Sequence, residues 1–186
     1  AEDLRDEAER AAALLENPER LFGSRPRTGS AGPSPGEGFK ELSGATYVPS
    51  PRNKGDRFMV SHAGQEFLVR LLWVTCPPTL PEEVDELKSQ AAYFKITPED
   101  ALVVGRRAQK FTSEFLKDKP MSLFTRGLKD EHGALLVEVR PEGVGSFAGV
   151  LVDNGLAAIP PLPTRARRGR NQDEAVVQAL KDREAT

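Results

Sequence analysis

The chain has 186 residues, enough for one ordinary domain with appendages, and its net charge of −2 excludes any global attraction to nucleic acid or anionic membranes. No apolar run approaches the ~20 residues of a membrane-spanning helix. A single cysteine, Cys76, excludes an internal disulfide framework and a cysteine-based zinc site, and two histidines, His62 and His132, argue against a histidine-rich metal site.

The sequence opens on Ala1 in place of Met. A removed export signal would explain this and predict a periplasmic or secreted protein; trimming of the chain would explain it equally. Residues 1–22 place Leu4, Ala8, Ala11 and Leu15 on one narrow helical stripe, bounded by Pro18. They predict an N-terminal helix that leans on another surface. Residues 23–43, rich in Gly, Ser and Pro, predict a flexible linker.

The core is expected from Gly44. "ATYV" is a short strand candidate, and "DRFMVSH" (56–62) and "EFLVRLLWVT" (66–75) form a hairpin joined by Ala63-Gly64-Gln65. Residues 82–94 predict a helix with Val84, Leu87, Ala91 and Phe94 inward. A second helix is capped by Thr97, takes Pro98 at its first position, and turns Val104, Ala108, Phe111 and Phe115 to the core. Strands at 121–125 and 134–139 flank the turn "KDEHG". A short helix runs from a Ser146 cap to Gly155, and residues 161–186 form a basic connector and a last short helix. Three strands, a packed helix and two more strands predict an α+β chain with a mainly β core. Its layout is that of a five-stranded OB-fold barrel over residues 44–160, with helical extensions at both termini.

The segments "GDRFMV…GQEFLVRLLWVTCPP", "AQKFTSEFLKDKPMSLFT", "KDEHGALLVEV" and "GVLVDNGLAAI" together resemble the staphylococcal nuclease (thermonuclease) family in order and spacing. That resemblance implies calcium-assisted hydrolysis of phosphodiesters. Oxygen ligands hold the ion, two arginines grip the phosphate, and a glutamate orients the attacking water.

Carried over by position, the first metal carboxylate matches Asp56 and the first phosphate-binding arginine matches Arg70. The second metal carboxylate falls on Thr75, which carries no charge. The next ligand is a backbone carbonyl, which Cys76 could supply. The catalytic glutamate falls on Pro78, and the second arginine on Ala134. Loss of one positioned electrostatic group typically costs ~10²–10³ in rate. The resemblance therefore implies a nuclease-like barrel without the chemistry, acting as a binding or interaction module and needing no cofactor.

The alternative is a divergent calcium-dependent phosphodiesterase acting on DNA or RNA, using Asp56 and Arg70 with ligands recruited from Glu82, Glu83, Asp130 or Glu131. Asp56 and Arg70 also have plain structural readings, as a strand cap and a salt-bridge partner. A Cys76–His132 nucleophile pair is a third reading, set against an ordinary buried thiol. His62 is expected in solvent beside its turn, and Trp73 in the core. The acids Glu82, Glu83, Asp85 and Glu86 read as a solvated helix start. The tract Arg165, Arg167, Arg168 and Arg170 is the expected contact for nucleic acid or an acidic protein, although no aromatic residues interleave with it. The terminal helices are expected to dock a partner or a second copy.

Overall fold

A computed structural model describes residues 38–160 and 170–184. The expected N-terminal helix, the linker up to residue 37, and the connector with Arg165, Arg167 and Arg168 lie outside the described residues. The described residues form five strands: β1 (Lys40–Val48), β2 (Arg57–His62), β3 (Gln65–Leu71), β4 (Met121–Lys129) and β5 (Leu135–Pro141). Among the described residues there are four helices: α1 (Val84–Phe94), α2 (Pro98–Leu116), α3 (Phe147–Asp153) and α4 (Arg170–Glu184).

The strands close into a barrel in the order β1-β2-β3-β5-β4, with β4 pairing back onto β1. Every pairing is antiparallel except β3 with β5. A parallel neighbour needs a long crossover, and here α1, α2 and β4 lie between the two strands. Alternation fills the interior: Phe58 and Val60, Val69 and Leu71, Val137 and Val139 are each almost wholly buried. Helix α2 packs its expected stripe on this core, with Ala108 and Phe115 buried and Val104 and Phe111 against them. The ring of Phe147 on α3 meets Phe58 edge-on at 6.3 Å and lies 5.5 Å from Phe115. Each such side chain taken fully from water contributes roughly 1.5–3 kcal/mol.

Several boundaries differ from expectation for physical reasons. Strand β1 begins at Lys40, so residues 40–43 belong to the barrel and not to the linker. Gly44, at φ 76°, absorbs a register shift between Leu42 and Ala45, and that bulge disguised the strand. Gln65 is not part of the hairpin joint. Ala63 (φ 51°) and Gly64 (φ 77°) alone make the turn, and His62 pairs with Gln65.

Strand β3 stops at Leu71, short of Thr75. Trp73 takes φ 63°, a left-handed conformation that costs a bulky residue about 1–3 kcal/mol, and this ends the alternation. The indole is therefore only partly buried, packed against the core rather than enclosed in it. Thr75 then pairs with Ala158 through hydrogen bonds of 2.9 and 2.8 Å. In α1, Leu87 and Ala91 are buried, but Val84 is 48% exposed. Helix α4 is no free extension: Val176, Val177 and Leu180 enter the main core.

Where α2 crosses the segment after β3, the backbones nearly touch. A Cβ on Gly105 would fall 2.6 Å from the Pro77 carbonyl oxygen and closer still to that of Pro78. Gly105→Ala should therefore lower stability by about 2–3 kcal/mol in urea unfolding, since overpacking outweighs the ~1 kcal/mol gain in helix propensity.

Candidate functional site

The two-residue turn sets the register of the β2–β3 hairpin, and that register puts Arg57 directly opposite Arg70. Two cations so placed repel. Asp130, in the β4–β5 turn, answers both: its Oδ2 lies 3.0 Å from Arg57 Nη2 and 3.6 Å from Arg70 Nη1. Its Oδ1 accepts the backbone N–H groups of His132 (2.9 Å) and Ala134 (2.8 Å). Burial works to raise the Asp130 pKa, but those two N–H donors and then the two guanidiniums outweigh it and hold the carboxyl below its usual value. Glu131, at the rim, stands 3.8 Å from Arg70.

Beside this cluster a cavity of about 230 Å³ opens at the barrel mouth. Asp56, Arg57, Arg70, Cys76, Pro78 and His132 line it, with Lys54, Glu83, Glu86 and Glu131 on its walls. Helix α2 holds the approach to Asp56 in place: Thr112 Oγ1 donates to the Gly55 carbonyl (2.8 Å) and Gln109 to that of Asn53 (2.5 Å). Lys54 and Glu83 form an ion pair across the wall. Arg57 Nε and Glu83 Oε2, both buried, have no protein hydrogen-bond partner among the described residues.

Asp56 is buried, and burial raises its pKa; Arg70 and the N–H of Cys76 oppose the shift without cancelling it. The Cys76 thiol is buried too, and burial together with the Asp56 charge pushes its pKa well above the usual thiol value. Cys76 and His132 do share the cavity, but this environment disfavours the thiolate a nucleophile needs.

The expected residues divide clearly. Asp56, Arg70, Cys76, Pro78, Glu83, Glu131 and His132 converge. Thr75 is engaged by Ala158, Ala134 is fully buried at the turn, and Glu82 does not line the cavity. The expected solvated acids include one exception, since Glu83 is tied to Lys54. His62 ends β2 half-buried, short of full solvation. Arg170 begins α4.

The donors present fit calcium poorly. Hard cations select clustered charged oxygens, whereas Asp56 is a carboxylate whose ionised form is disfavoured, beside two guanidiniums. Among the described residues no group of three His, Cys, Asp or Glu is placed to hold a metal.

Arg57 is the cavity-lining residue that sequence reading missed. Counting outward from a two-residue turn pairs 62 with 65 and hence 57 with 70. A three-residue joint shifts the count by one and hides the pair. Comparison with protein-family models and with curated proteins finds no match for the chain.

Asp130→Ala should strand two facing guanidiniums and cost about 2–4 kcal/mol at neutral pH by urea unfolding. Because Asp130 has a depressed folded pKa, its contribution is present above the unfolded value and is lost as pH falls through the folded one. The variant's deficit should therefore vanish in acid. Asp56 has the opposite sign: its contribution is greatest below the unfolded value and is lost as pH rises through the raised folded one. Asp56→Asn should accordingly raise the neutral-pH midpoint, and an unchanged or lower midpoint would contradict the assigned burial cost.

Proposed function

We propose that the chain is a thermonuclease-like, OB-type barrel that has lost hydrolytic competence and works as a binding module. Support for the fold comes from the strand order, the parallel β3–β5 pair, and the helix packed between β3 and β4. The functional reading rests above all on one observation. The guanidiniums at the mouth, Arg57 and Arg70, face Asp130, a carboxylate of the chain itself. A phosphate would have to displace that internal anion against Glu83, Glu86 and Glu131 on the cavity walls. Pro78, where the resemblance places the catalytic glutamate, can neither take a proton from water nor orient it.

A second reading, a divergent metal-dependent phosphodiesterase, draws on Asp56 and two arginines lining one cavity. The two readings separate in one assay. The protein at high concentration, given single-stranded DNA or RNA with Ca²⁺ or Mn²⁺, should release no product. Metal-dependent cleavage that Asp56→Ala abolishes would establish the second reading instead. Cys76 should react with a thiol reagent at neutral pH only on unfolding, and rapid native labelling would revive a cysteine mechanism.

A further inference from the structure

An apolar strip crosses the outside of the barrel where the described chain begins. Phe39 stands immediately before β1, and its ring is 6.2 Å from that of Trp73, which follows β3. Trp73 lines a shallow cleft of about 50 Å³ with Leu72, Arg126, Leu128 and Leu136. Leu128 is 60% exposed, and Leu72, Trp73 and Leu136 are only partly buried. The charged groups of this face are already engaged. The Arg126 guanidinium lies 4.3 Å from the Phe39 centroid, and Glu41 accepts from Ser43 (2.9 Å) and Ser122 (2.7 Å). What the face offers is therefore apolar surface.

Residues 1–22 carry a matching surface in their sequence. Leu4, Ala8, Ala11 and Leu15 recur at helical spacing on one narrow stripe. In a helix, Leu4 and Leu15 stand about 16 Å apart. The strip runs over four neighbouring strands in the order β3-β5-β4-β1, a width of about 14 Å. Alanines at the middle of the stripe suit a shallow cleft, because they let a helix backbone come close, and the outer leucines reach its two edges.

We infer that this strip is the seat of the chain's own N-terminal segment, docked as a helix through Leu4, Ala8, Ala11 and Leu15. The place where the chain enters the barrel favours this occupant over a second copy. Phe39 already lies on the strip, so the segment is tethered at the edge of its own seat. A Gly- and Ser-rich tether over residues 23–37 reaches about 20 Å r.m.s., and it holds its cargo at an effective concentration of roughly millimolar. A second copy at micromolar concentration would have to bind about a thousandfold more tightly to compete. The inference is independent of what the charged cavity binds, since the two occupy different faces.

Two reciprocal measurements on the full chain test it. Trp73 is the only tryptophan, so its emission reports the seat. Replacing Leu4→Asp and Leu15→Asp together should shift that emission to the red and raise acrylamide quenching about twofold. Leu128→Asp, an exposed substitution whose folding is checked by circular dichroism, should speed tryptic cleavage after Arg5 and Arg10 about tenfold. Cleavage after Arg27, in the tether, is the internal reference and should not change. Trp73 quenching indifferent to the double substitution, or cleavage at Arg5 and Arg10 indifferent to Leu128→Asp, would overturn the inference. So would effects that fade on dilution while sedimentation shows a dimer dissociating, since the strip would then be a contact between copies.

Discussion

Two arginines facing each other across adjacent strands would drive those strands apart, and the barrel mouth is organised around relieving that repulsion. Asp130 does so from a turn that its own carboxylate shapes, since one oxygen gathers the N–H groups of His132 and Ala134 while the other faces Arg57 and Arg70. The β2–β3 hairpin is thereby tied to the β4–β5 turn by charge as well as through the β3–β5 ladder. The interaction also sets the local electrostatics at the mouth. Guanidiniums already facing an internal carboxylate hold an outside anion less well than unpaired ones.

The surroundings make this arrangement rigid. Helix α2 lies close enough to the Pro77-Pro78 backbone that only glycine fits at position 105, and it hydrogen-bonds the loop leading into Asp56. The cavity wall is thus a packed contact between backbones, and Cys76 sits within it as a close-packed apolar group. Dehydration there acts on both titratable neighbours in one direction, raising Asp56 and Cys76 together. Burial there works against the ionised forms of both side chains.

Much of the barrel was legible in the sequence, because period-two burial and helix caps are local signals. Thr97 accepts from the Asp100 N–H and Ser146 from that of Gly149, as their spacing implied. The α2 stripe was legible for the same reason. What escaped were features set by single backbone angles: the bulge at Gly44, the two-residue count at Ala63-Gly64, and the left-handed Trp73. Each moves a register or a face by one position, and apolar periodicity is blind to such a step. The mouth was half legible. Asp56, Arg70 and Cys76 meet as expected, but Arg57 needed the correct turn length, and the role of Asp130 needed the fold of its turn.

Helix α4 bears on how the chain comes to be folded. Val176, Val177 and Leu180 are buried in the same core as residues of the strands, and Tyr93 of α1 reaches Glu184 with a 2.7 Å hydrogen bond. Synthesis proceeds from the other end. A growing chain therefore carries all five strands before it has the side chains that finish their packing. Through that interval the apolar surface of α3 stays open to water and to other chains. The barrel is sealed late, by residues that a reading of its strands alone would count as an appendage.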